Sequence, residues 1–77
     1  MELEHLTANA PFQIVTTLDD GTRGIAKALS AKSADAFYQR RLPALGMQDR
    51  NGRTYIKVSF QKRDDSGEYH VIEETEF

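Results

Sequence analysis

TYIKVSFQK, Thr54 to Lys62, is the stretch on which the fold turns. Thr54, Ile56, Val58 and Phe60 fall on one side of an extended chain. Tyr55, Lys57, Ser59 and Gln61 fall on the other. Such alternation in a run rich in β-branched and aromatic residues predicts a strand with one apolar face. Turn residues bound it on both sides. Asp49-Arg50-Asn51-Gly52 precedes it, with Asn-Gly among the strongest short turn signals, and Asp64-Asp65-Ser66-Gly67 follows. Beyond that second turn, Glu68 to Thr75 reads as a last strand around Tyr69, Val71 and Ile72.

Upstream of the strand, Ser33 to Leu42 has the spacing of a helix. Ala34, Phe37, Tyr38 and Leu42 share one face, with Leu45 joining them if the helix continues past Pro43. Ser30 or Ser33 supplies an N-cap, and Asp35 suits the positive end of the dipole. Pro43 and Gly46 end the element. Arg41 lies on the apolar face or at its rim, and Arg40 points away.

Earlier still, Phe12 to Leu18 alternates as a strand. Asp19-Asp20-Gly21 turns the chain, and Arg23 to Leu29 returns it. Whether that loop holds two or three residues decides the face on which Ile25 and Leu29 lie, and the sequence leaves both open. Leu3 and Leu6 could line a short helical turn within residues 1–11, which otherwise form a flexible arm. Ala10-Pro11 closes that segment. The order is ββαββ. It predicts one α+β domain over residues 1–77: an antiparallel sheet with one main helix packed on one face.

Composition sets bounds. A 77-residue chain buries only about 60% of the surface its unfolded form exposes. Dimerisation or docking would therefore add useful stability, and both monomer and homodimer are open. With 39% apolar and 29% charged residues the chain belongs with folded rather than disordered sequences. Cysteine is absent, which excludes disulfides and thiolate metal sites. No apolar run reaches the roughly 20 residues of a membrane helix. The acidic start, MELEHLTANAP, lacks the apolar core of a secretion signal. The expected location is cytoplasmic, with no membrane partner.

Charge is unevenly distributed. Residues 1–20 carry four acids and no Lys or Arg; residues 21–63 carry all ten Lys and Arg against Asp35 and Asp49 alone. Residues 64–77 then carry six acids and no Lys or Arg. The basic centre supplies a candidate partner-binding set: Tyr38, Arg40, Arg41, Arg50, Arg53, Tyr55 and Lys57. Arginine pairs with carboxylate or phosphate through two parallel hydrogen bonds, and arginine and tyrosine dominate binding energy at interfaces. The plainer reading makes Phe37 and Leu42 core and leaves Arg40 and Arg41 at the negative end of the helix dipole.

The acidic surface is Asp64, Asp65, Glu68, Glu73, Glu74 and Glu76. It reads either as charge guarding an edge strand or as a mimic of a phosphate backbone. A hairpin between the last two strands would place Lys57 near Glu73 or Glu74, and Lys62 or Arg63 opposite Glu68. The basic centre would then be partly neutralised by its own tail.

Catalytic signals are weak. His5 and His70 are the only histidines, and neither has a ligand or nucleophile at motif spacing. Asp19-Asp20-Gly21 lacks the alternating oxygens of a calcium loop, and Asp64 with Asp65 reads as a turn former. The expectation is no enzyme, no metal and no cofactor. In size, lack of cysteine and lack of catalytic chemistry the chain resembles the small single-domain inhibitors that phages and mobile elements direct at host machinery, anti-CRISPR proteins among them. That likeness is one of type and rests on no motif. The leading reading is a non-enzymatic interaction module that docks on a larger protein or nucleoprotein complex and masks a surface. The same basic residues fit a second reading, a small nucleic-acid-binding domain, against which the net charge of −2 weighs. A third is a homodimeric structural subunit built by pairing an open sheet edge.

Overall fold

The computed structural model describes residues 10–77. Its elements run β1 (Phe12–Leu18), β2 (Arg23–Ala28), α1 (Ala31–Arg41) with a 3₁₀ turn at Leu42–Ala44, β3 (Tyr55–Arg63) and β4 (Tyr69–Glu76). The four strands form one antiparallel sheet in the order β2-β1-β3-β4, and α1 packs on one face. This is the expected ββαββ, α+β arrangement. The proposed turn or arm lies, for residues 1–9, outside the described residues. Ala10 and Pro11 lead into the sheet: the Tyr69 hydroxyl donates to the Ala10 carbonyl (2.6 Å) and the Arg63 amide to that of Pro11 (2.8 Å). No helix among the described residues is long and apolar enough to cross a membrane.

One turn design recurs three times. In 18–22, 49–53 and 64–68 the first residue's amide donates to the fifth residue's carbonyl, and the fourth residue's amide donates back to the first carbonyl. The fourth residue is Gly21, Gly52 or Gly67, at φ +89°, +81° and +94°. These values are why glycine stands there. The first loop thus holds three residues, Asp19 to Gly21, which settles the register. Ile25 pairs with Val15 on the face away from α1 and is exposed. Leu29 lies beyond β2, also exposed. The chain there is already turning into the helix cap.

Ser30 is that cap. Its Oγ accepts from the Ser33 amide (3.1 Å), so α1 starts at Ala31 rather than Ser33. Asp35 consequently sits past the first turn, where the dipole no longer favours it.

The core joins Ile14, Ala28, Ala34, Tyr38, Val58 and Phe60, with Phe12, Phe37, Leu42 and Leu45 packed around it. Phe12 meets Phe60 edge-on at 6.0 Å, and Tyr38 tilts against Phe60 at 5.9 Å. The Tyr38 hydroxyl shares a 2.6 Å hydrogen bond with that of Thr75, tying α1 across β3 to the edge strand β4. The other face carries a hydrogen-bonded row across three strands. Lys27 Nζ donates to Gln13 Oε1 (2.7 Å), Gln13 Nε2 to Gln61 Oε1 (2.6 Å), and Gln61 Nε2 to Ser59 Oγ (3.0 Å).

Two bulges interrupt the alternation. Register passes from Thr17–Lys57 to Leu18–Tyr55, which makes Ile56 an extra residue and sets Tyr55 opposite the inward Leu18. Likewise Ile72 is extra between the pairs Gln61–Val71 and Phe60–Glu73. Lys57 stands across from Glu76 and places its ammonium 4.0 Å from Glu74, one of the two expected partners. The other expected pairing is corrected. Lys62 faces His70 and Arg63 faces Tyr69, because Glu68 is the closing residue of the three-residue loop and pairs with Asp64.

Candidate functional site

The last turn of α1 carries Arg40 and Arg41 at the negative end of the helix dipole, which favours cations there. The Arg40 guanidinium lies 5.2 Å from the centre of the Phe37 ring, a cation–π contact. Phe37, Arg40 and Arg41 line a shallow hollow. Arg41 also borders a larger cleft of about 330 Å³, at whose rim stand Arg23, Arg53 and Tyr55 above Ile14, Leu18 and Ala26.

Small residues make the room. Gly24 and Ala26 occupy the positions of β2 that pair with Thr16 and Ile14, and a Cβ on Gly24 would meet nothing within 4 Å. The bulge at Ile56 then brings Tyr55 to the same side.

Arg53 organises the cleft's far wall. Its Nη2 and Nε approach Asp49 Oδ2 at 2.8 and 2.9 Å, and its Nη1 lies 3.3 Å from Asp20 Oδ2 and 3.4 Å from Thr22 Oγ1. One guanidinium thus ties turn 18–22 to turn 49–53. Partial desolvation pushes the Asp49 carboxyl up, but the Arg53 and Asn51 amides and the guanidinium outweigh it, and its pKa lies below the ordinary carboxylate value. Hydrogen bonds from the Thr22 amide and hydroxyl hold Asp20 low as well. The hydrogen bonds to Asp49 and Asp20 raise Arg53 in turn.

The expected binding set divides. Arg40, Arg41 and Arg50 are exposed, and no described carboxylate pairs with them. Tyr55 lines the cleft. Arg53 is committed to its two carboxylates and Lys57 to Glu74. Tyr38 is withdrawn as a contact: it is fully buried, because it occupies the inward stripe of α1 and its hydroxyl is taken by Thr75. Arg23, one of the basic residues of the centre but outside the expected binding set, joins the cleft. The signal was present in Gly24, Ala26 and Ala28, small residues at every second position, which leave one side of a strand bare.

Of the acidic set, Asp65, Glu68, Glu73, Glu74 and Glu76 are exposed, and Glu74 alone among the described residues pairs with a lysine. Neutralisation of the basic centre by its own tail is therefore confined to that pair. Asp64 is different. Its Oδ1 accepts from the Ser66 amide and hydroxyl and from the Glu68 amide, at 2.8, 2.6 and 3.0 Å. Its Oδ2 lies 2.5 Å from His70 Nε2. The Ser66 hydroxyl first, then His70, hold the carboxyl far below its ordinary value. Glu68 closes in too, so that Asp64, Glu68 and His70 bring ligand atoms within 4.8 Å of one another. Spacing along the chain sets no ligand beside His70 and makes Asp64 a turn former. Spacing misses this grouping because the hairpin creates it.

No family model matches the chain, and it has no match among curated proteins or among solved structures.

Proposed function

We propose that this protein is a non-enzymatic interaction module that docks its arginine-bearing end on an acidic surface of a larger protein and masks it. The observation that carries the reading is exposed Arg40, Arg41 and Arg50, with which no carboxylate among the described residues pairs, Arg41 lining a cleft that Tyr55 and Arg23 border. A guanidinium without an internal partner loses no ion pair on docking, and arginine and tyrosine are the usual anchors of an interface. Masking is the mode of action open to so small a domain, as in the phage inhibitors it resembles in type. The acidic β4 on the opposite edge of the sheet would repel a polyanion and speaks for a protein partner over nucleic acid.

The test is capture of partners from host lysate, with and without nuclease, by wild type and by the double variant Arg40→Glu, Arg41→Glu. A protein retained by wild type after nuclease and lost by the folded double variant supports the reading. Equal capture by both removes the helix end from the contact. Loss on nuclease treatment moves the assignment to nucleic acid.

A further inference from the structure

The turns 49–53 and 64–68 are copies of one design with different fifth residues. In Asp49-Arg-Asn-Gly-Arg53, Asp49 Oδ1 accepts from the third and fifth amides, and the Arg53 guanidinium returns to neutralise Oδ2. In Asp64-Asp-Ser-Gly-Glu68, Oδ1 accepts from the same two amides. The fifth residue there is an acid, and Oδ2 faces an imidazole instead. Where the first turn carries its own counter-charge, the second gathers two carboxylates and a histidine. We infer that Asp64, Glu68 and His70 form a binding site for a divalent transition-metal ion.

The chemistry of the set chooses the ion. One imidazole with two carboxylates is a donor set suited to zinc and its neighbours; magnesium prefers oxygen alone in a strict octahedron. For one pair of ligands the spacing is close to what such an ion needs, and Glu68 lies within 4.8 Å of both. Two ligands, each roughly 2.0–2.1 Å from a tetrahedral zinc, stand about 3.3 Å apart. Asp64 Oδ2 and His70 Nε2, now 2.5 Å apart, would part by less than an ångström to admit it. Asp64 is already fixed by three donors to its other oxygen, so little ordering is left to do. His70 and Glu68 project from an exposed hairpin end that an ion reaches from solvent. Three protein ligands leave one tetrahedral position for water or for a group of a partner. Two cations border the site: Lys62, across β3 from His70, and Arg63, whose guanidinium lies beside Gly67. Both oppose binding, and the two carboxylates must outweigh them.

Zinc chloride is the probe, followed by calorimetry and by amide NMR of the full chain, with magnesium chloride as control. The expected result is saturable one-to-one zinc binding that moves the signals of residues 64–70 and that magnesium does not reproduce. His70→Ala and, separately, Glu68→Gln should weaken it by about tenfold or more, since even outer-shell partners of metal ligands are worth that much. Glu68→Gln keeps the backbone amide that caps Asp64, so the turn survives in that variant. Equal affinity in wild type and both variants would overturn the site, as would the lack of saturable binding.

Discussion

Tyr38 shows how one residue can be misassigned by its type. A tyrosine beside two arginines has the composition of an interface anchor, yet the helical stripe that carries Phe37 and Leu42 turns it inward. Its ring packs on Phe60 and its hydroxyl reaches Thr75. Tyr38→Phe should cost about 0.5–1.5 kcal/mol in urea unfolding, the net worth of one hydrogen bond. A double-mutant cycle with Thr75→Val should return a coupling of similar size. Tyr38→Ala removes the ring and should cost about 3–5 kcal/mol, comparable to the whole stability of a domain this small. Arg53 is the opposite case: an arginine whose charge is spent inside the molecule. Asp49 and Asp20 both lie below the ordinary carboxylate pKa. Their ionised forms therefore add stability that is present above about pH 4, the unfolded value, and is lost as pH falls through the lower folded values. Asp49→Asn should flatten the acid limb of a stability–pH curve, and an unchanged limb would show that other groups set it.

At the scale of elements, the hairpins depend on glycine at one position of a repeated turn. Gly52 and Gly67 stand at positive φ, where a side chain costs roughly 1–2 kcal/mol. Gly46 is a distinct case. It also has positive φ (+84°), and a Cβ there would collide with the ring of Phe77, which follows β4. Gly46→Ala should destabilise by about 1–3 kcal/mol. Pairing it with Phe77→Ala should recover the part due to collision and leave the part due to φ. Thermal unfolding of the two single variants and the double separates the contributions. Full recovery would mean that backbone strain is negligible at this position.

At the scale of the whole molecule, the sheet order sets Arg23 and the acids of β4 at opposite edges. β3 and β4 are neighbours in sequence, but Lys57–Glu74 is the ion pair that joins them at this range among the described residues. The acids of β4 line one edge of the sheet. Arg23 begins the strand at the other edge, and Arg41 ends the helix beside it. An arginine end facing an acidic partner predicts that association slows as salt rises, while dissociation of the desolvated contacts changes less. Surface-binding kinetics at two ionic strengths would measure this. Association independent of salt would argue against docking by the arginine end.

The sequence by itself determined the element order, the strand of residues 12–18 to the residue, the turn positions and the inward faces of α1 and β1. All of these are local. Periodicity and turn chemistry act within a few residues, and both can be read along the chain. The length of the first loop, which the sequence left open between two and three residues, was settled only by the backbone hydrogen bonds of the folded turn. Tertiary structure alone decided where alternation breaks. The bulges at Ile56 and Ile72 show only in the register between paired strands, and no residue type announces them. The Ile56 bulge swings Tyr55 into the cleft. Pairing across the second hairpin gathers Asp64, Glu68 and His70, and pairing of separate turns locks Arg53 between Asp20 and Asp49. Each of these groupings depends on the register between strands, which the packed sheet sets as a whole.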